Sequence, residues 1–287
     1  MTPVLVSFSC GRPVKRLWFS LKWYPEPLDQ FISLVLQDCL EFQNDDFASR
    51  TLGASDNIKQ ERKVLVESAD PPICLIPGMT ADFPVYSRIL RLLPNAIVVD
   101  YIPPESNETL VSYASRMANR IPANSFVVGV SFGGIVALEI ARVVRPQGCI
   151  LISSIRQPAE LPPWLRIWRA LGGRSTNALL RTVGRAASMV PRFTCTSSTI
   201  RVSKLEGDGG QWHRWATASV LDWQPDPEFK ACPLLKIHGS ADRTFPIRYV
   251  NPDVTIAGGR HALTISHPKE TALAIRAFMG QIQRQAS

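Results

Sequence analysis

The stretch FVVGVSFGGIVALEIA, Phe126 to Ala141, joins two patterns that cannot belong to one element. Phe126, Val127 and Val128 read as a buried strand, whereas Ile135, Leu138 and Ala141 recur at helical spacing. Gly133 and Gly134 fall in the first turn of that helix, so the chain must reverse at Ser131. A serine at such a corner is either a helix cap or a nucleophile. A cap needs no glycine on both sides. In Gly129-Val130-Ser131-Phe132-Gly133 both are present, as the turn demands if any side chain there would collide. The serine is then forced into a strained backbone conformation with its hydroxyl projecting from the sheet edge.

Strand-like and helix-like runs alternate on either side of this corner. ICLIPG, AIVVDY, SFVVGV and GCILISS read as strands, as do LLKIHGS and VTIAGG further on. Helices are expected around Val85–Leu93, over ETLVSYASRMANRI with Glu108 in the first turn, over Gly133–Val144, and from Glu270 to about Gln283. Such alternation predicts an α/β fold with a mostly parallel sheet covered on both faces. The core is expected over residues 71–154 and 233–287.

Residues 155–232 interrupt the pattern. They contain helix-like segments at Pro163–Leu171, Thr176–Val190 and Gln211–Trp223 and no clear strand. Five of the seven tryptophans lie here: Trp164, Trp168, Trp212, Trp215 and Trp223. An all-helical insert between two strands is expected to form a lid over the C-terminal edge of the sheet. Residues 1–70 read as a partly disordered extension, with an amphipathic helix at Leu28–Phe42 followed by a polar, aperiodic stretch. KVLVES could add one edge strand.

The net charge of +8 raises the question of acidic partners. The charge is local: between Arg156 and Arg201 there are eight arginines, no lysine and one acid, Glu160. No aromatic-interleaved basic motif accompanies it, so a nucleic-acid role is not expected. Six cysteines show no CxxC pair and no metal-ligand spacing, which implies neither a disulfide framework nor a metal. There is no signal-peptide pattern and no run of 18 apolar residues, so the expected location is cytoplasmic, without a transmembrane segment.

A serine hydroxyl becomes a nucleophile only when a positioned base takes its proton. Base and acid should follow it in the order Ser, Asp, His, on loops at the same sheet edge. KIHGSADRTFP supplies Asp242 just beyond a strand, and VTIAGGRHALTISHP supplies His261 just beyond the last. Of the other histidines, His238 lies inside a strand, His213 in the insert, and His267 reads as a cap before Pro268. Asp100 comes too early in the chain, and Asp226 and Asp253 adjoin prolines without a preceding strand end. Backbone N–H groups must also meet the developing oxyanion. Phe132, the residue after the serine, is one candidate. The turn PGMTAD offers Met79, with Thr80 second.

Together these features resemble the α/β-hydrolase family over roughly Pro72 to Gln283. The resemblance rests on Gly78-Met79, Gly129 to Gly134, Asp242 after HGS and His261 after GG. GVSFGGIVALEIA looks most like the elbow of small esterases and acyl thioesterases in that family. The resemblance implies an α/β-hydrolase fold with a helical lid and acyl-enzyme chemistry on an ester or thioester. Aspartate-nucleophile members are set aside because the elbow carries Ser131. There are three departures. Pro77 stands where many members have histidine. Arg260, directly before His261, either binds an anionic substrate group or faces solvent. The first strands of a full family sheet are not evident before Ile73.

The reading that follows is a serine hydrolase needing no cofactor. Ser131 attacks, His261 carries the proton, Asp242 orients it, and the Met79 and Phe132 N–H groups hold the oxyanion. A small or medium apolar ester comes first among substrates. A thioester on an acidic acyl carrier or coenzyme A is second, through the arginines. A non-catalytic binding protein on the same scaffold is the third reading.

Overall fold

The computed structural model describes residues 70–79, 86–171, 211–225 and 228–286. The expected extension, its helix at 28–42, the KVLVES strand and the helix at 176–190 lie outside the described residues, as do Thr80 and Asp226.

Strands β1 (Ile73–Ile76), β3 (Phe126–Val130) and β4 (Gly148–Ile152) are buried at every residue. β2 (Ala96–Val98), β5 (Leu234–Gly239) and β6 (Val254–Ile256) complete a sheet of order β2-β1-β3-β4-β5-β6 among the described residues. Every neighbouring pair is parallel. Side chains on a strand alternate between faces, and the core divides accordingly. Ile73, Leu75, Phe126, Val128 and Ile150 join one apolar cluster, whereas Cys74, Ile76, Val127, Cys149 and Leu151 join the other. The uninterrupted apolar runs follow from this, since both faces must be apolar.

Helices α1 (Ser87–Leu90), α6 (Leu263–Ser266) and α7 (Pro268–Ala286) cover the first face, with Ile89, Leu263 and Ile275 fully buried. Helices α2 (Leu110–Ala118) and α3 (Phe132–Val144) cover the second. From the interrupting segment, α4 (Pro163–Leu171) and α5 (Gln211–Asp222) join that second cluster through Leu165, Trp212, Ala216 and Leu221. Among the described residues no helix is long and apolar enough to cross a membrane.

Two expectations need correcting. Helix α2 starts at Leu110, after Glu108, because Thr109 caps it: its Oγ1 accepts the Ser112 N–H at 3.2 Å. Glu108 is instead taken up by Arg116, 2.7 Å away, and by the Glu105 N–H at 2.8 Å. The closing helix starts at Pro268, two residues earlier than read. Proline suits a first turn, where its missing N–H would have had no partner.

Two buried carboxylates tie the interrupting segment to the core. Glu160, in a short turn after β4, meets Lys236 of β5 at 2.7 Å and accepts the Arg156 N–H. Glu139 of α3 accepts the Trp223 indole N–H at 2.8 Å, just after α5. Removing one partner of a buried ion pair strands the other charge, at a cost of about 3–5 kcal/mol, whereas replacing both by apolar groups can be neutral. Lys236→Met should therefore lower unfolding free energy by about that much. Glu160→Leu/Lys236→Met should recover most of it in urea titrations, and equal losses in both variants would contradict the assignment.

Candidate active site

The corner read from the sequence is a strand-to-helix elbow. β3 ends at Val130, α3 starts at Phe132, and Ser131 between them has φ 54° and ψ −122°. Only glycine takes that conformation without strain. The surroundings hold it in place. The Ser131 N–H donates to the Ile152 carbonyl at 2.9 Å, extending the β3–β4 ladder by one bond. The Ser131 carbonyl accepts the Gly134 N–H at 2.9 Å and the Ser154 hydroxyl at 2.6 Å.

Both elbow glycines are required by close approach. A Cβ on Gly129 would lie 2.2 Å from the Gly133 carbonyl oxygen, and one on Gly133 would lie 2.2 Å from the Pro77 oxygen. The first turn of α3 thus rests directly on the backbone at the end of β1.

Asp242 follows β5 in a tight turn, its N–H donating to the Gly239 carbonyl at 3.2 Å. Its buried carboxylate collects four donors. Oδ1 accepts the Thr244 and Phe245 N–H groups at 2.8 and 2.9 Å. Oδ2 lies 2.9 Å from His261 Nδ1 and 3.2 Å from His238 Nε2. Burial by itself pushes the carboxyl up, but the charge of His261 and the hydrogen bonds from both histidines outweigh it and hold Asp242 well below the usual carboxylate range.

His261 follows β6 and the pair Gly258-Gly259. With Nδ1 on an ionised carboxylate, that nitrogen carries the proton and Nε2 presents its lone pair. Nε2 lies 2.8 Å from Ser131 Oγ. The Phe245 ring stands edge-on to the imidazole at 5.6 Å. Ser131, His261 and Asp242 are therefore brought into one hydrogen-bonded line from three strand ends.

As the first residue of α3, Phe132 has an N–H without an intrahelical acceptor. In the turn after β1, the Gly78 N–H donates to Tyr86 Oη at 2.8 Å, whereas the Met79 N–H has no partner among the described residues. Arg260 is exposed.

The competing residues sit elsewhere. Asp253 accepts the Lys236 N–H at 2.7 Å, and Asp100 is exposed. His267 caps α7, its carbonyl accepting the Thr271 N–H at 3.0 Å, and burial pushes the His213 imidazole down. Among the described residues no group of three or more His, Cys, Asp or Glu side chains is arranged to hold a metal ion.

Sequence reasoning missed the second histidine on Asp242. Inside β5, His238 turns its Nε2 to the Phe245 carbonyl at 2.8 Å as well as toward the carboxylate. Its spacing of four residues from Asp242 was the available signal. It also missed Ser154, whose bond to Ser131 spans 23 residues and has no local signature.

The family model described as "Alpha/beta hydrolase family" matches residues 73–274. Among solved structures, the haloalkane dehalogenase DbeA from Bradyrhizobium elkani is 15% identical with a TM-score of 0.51, over 77% of this chain and 93% of that one. A hydrolase from Pseudomonas aeruginosa is 16% identical at a TM-score of 0.50, over 74% and 91%. A thermophilic esterase from Thermogutta terrifontis is 20% identical at 0.49, over 74% and 90%. At these identities the likeness is one of fold. No curated protein matches the chain in sequence.

Two outcomes are expected from this geometry. Ser131→Gly and Ser131→Ala both lose the hydroxyl, but only glycine sheds the strained Cβ. Ser131→Gly should be the more stable by about 1 kcal/mol, net of glycine's greater chain entropy, as read from paired thermal melts. The second concerns acid. Because Asp242 ionises more readily folded than at its unfolded value of about 3.9, its contribution is complete above that pH and is lost as pH falls through the folded value. The stability gap between wild type and Asp242→Asn should therefore narrow below about pH 4. A gap unchanged far into acid would exclude this electrostatic role.

Proposed function

The chain belongs to the alpha/beta hydrolase family, and from that premise we propose that it is a serine hydrolase cleaving a carboxylic ester of an apolar acyl group through an acyl-enzyme. The observation that carries this reading is the placement of His261 Nε2 at 2.8 Å from Ser131 Oγ, with Nδ1 at 2.9 Å from the buried Asp242.

In this mechanism His261 removes the Ser131 proton as Oγ attacks the ester carbonyl. Asp242 keeps the proton on Nδ1 and stabilises the imidazolium that forms. The tetrahedral oxyanion is met by the Phe132 N–H, at the positive end of α3, and by the Met79 N–H. His261 then protonates the leaving alkoxide. Water, deprotonated by the same nitrogen, attacks the acyl-serine and releases the acid. No step calls on a cofactor.

The apolar side chains beside the elbow, Met79, Tyr101 and Phe132, support an apolar acyl group. In the same proposal, residues 155–232 act as the lid over that site. Exposed Arg156 and Arg166 support a second reading, a thioesterase that meets an acidic acyl carrier or coenzyme A. A rate on acyl thioesters that falls steeply with salt, beside a salt-indifferent rate on neutral esters, would favour it.

Intact-mass labelling with a fluorophosphonate tests the central assignment. Wild-type protein should gain a single adduct and Ser131→Ala none. Hydrolysis of p-nitrophenyl esters should fall on the order of 10⁴-fold or more in the variant. A folded wild type that takes up no label and turns over no ester would falsify the reading and leave the binding-protein alternative.

A further inference from the structure

Among the described residues of the turn after β1, the Met79 N–H is the one open to an oxyanion, and the peptide units around it are held by aromatic side chains from three separate parts of the chain. Tyr101 Oη donates to the Pro77 carbonyl at 2.5 Å, and Tyr86 Oη accepts the Gly78 N–H at 2.8 Å. These are the two ends of one planar peptide unit, which is thereby fixed in orientation. Burial holds the Tyr101 phenol well above its ordinary range, so it stays a donor. The next unit but one is held by Trp212, whose indole N–H donates to the Met79 carbonyl at 3.2 Å.

The unit between them contains the Met79 N–H. With the planes on both sides fixed, only the soft torsions at Gly78 and Met79 remain, and these must satisfy both anchors at once. Trp212 belongs to α5, 133 residues from Met79. It is buried, with its ring 4.6 Å from that of Tyr101 and 5.9 Å from that of Phe132, the other oxyanion candidate. Thr217, on the same helix, places its hydroxyl 3.8 Å from the Met79 sulfur.

We propose that Trp212 is a positioning residue for the oxyanion hole, so that helix α5 of the inserted segment fixes the Met79 N–H as well as covering the site. This rests on the serine-hydrolase reading above. The interaction is worth more in the transition state than in the ground state, because only there does full negative charge meet the donor. Loosening the Met79 peptide should therefore act on kcat and leave KM nearly alone. Misplacement of a catalytic group by about 1 Å costs on the order of 10²-fold, and loss of one anchor of two should cost about 10- to 100-fold.

Trp215 provides the matched control. It lies on the same helix, stacked on Trp212 at 5.3 Å and 6.2 Å from the Phe132 ring, but its indole N–H donates at 2.9 Å to the Glu108 carbonyl rather than to the turn after β1. Each tryptophan is replaced by phenylalanine, which keeps a ring and removes the N–H. The variants are compared by p-nitrophenyl ester kinetics, thermal melts and binding of a trifluoromethyl ketone that adds to Ser131. Trp212→Phe should lower kcat about 10- to 100-fold and weaken the ketone, which forms an oxyanion, by the same factor. KM and the pH profile should stay within about twofold of wild type, and so should every kinetic constant of Trp215→Phe. Equal kcat losses in the two variants, or a loss confined to KM, overturn the proposal in favour of simple packing. Unchanged kcat in Trp212→Phe on a wild type that turns over ester and takes the fluorophosphonate overturns the positioning role alone. A wild type inert to both overturns the hydrolase reading and this role with it.

Discussion

Two absent side chains hold the site together. Without a Cβ on Gly129 or Gly133, the first turn of α3 settles onto the end of β3 and onto the Pro77 carbonyl at the end of β1. That contact does two things at once. It turns Ser131 into a conformation that projects its hydroxyl beyond the sheet, and it brings the elbow beside the turn that carries Met79. A methyl group at either glycine would meet backbone atoms, which have little room to move. The parallel sheet extends the arrangement, because all its strands end on one side and the loops after β5 and β6 must arrive there too.

What the sequence discloses about this molecule depends on how local the governing interaction is. The buried strands were readable because a parallel sheet needs two apolar faces, which writes an unbroken apolar run into the chain. The elbow was readable because its steric demand falls on adjacent residues. Asp242 and His261 could be named from strand ends and chain order alone. The start of α2 was misplaced because Thr109 and Glu108 are both plausible first-turn residues. Thr109 takes the cap, and Arg116, eight residues on, takes up the Glu108 carboxylate, a partner that no local pattern marks. The supporting partners were illegible for the same reason in stronger form. Ser154 on Ser131, Trp212 on Met79 and Glu160 on Lys236 are single bonds between residues 23 to 133 positions apart. No periodicity marks them, since each requires the fold to exist before the pair can be recognised.

Among the described residues, three buried carboxylates are each met by more than one donor. Asp242 is surrounded by two backbone N–H groups and two imidazoles. Glu139 has an indole N–H and Arg142, and Glu160 has Lys236 and a backbone N–H. In a low-dielectric interior such groups hold geometry more firmly than their net contribution to stability suggests, because any displacement leaves a charge without a donor. Two of the three fasten the inserted segment to the core, and the third lies against the imidazole at Ser131. Rigidity is thus concentrated where the proposed chemistry needs fixed distances.

The separation of Ser131 and His261 by 130 residues also has a meaning in time. At roughly 5–20 residues per second, synthesis of the intervening chain takes on the order of ten seconds. Until the end of that interval the growing chain holds the elbow residues without the complete pair of Asp242 and His261 that the proposed mechanism requires. On the proposed mechanism, the hydroxyl stays an ordinary alcohol until β5 and β6 have added to the sheet edge. On that mechanism the growing polypeptide would carry no armed nucleophile, because chain order delivers the base last.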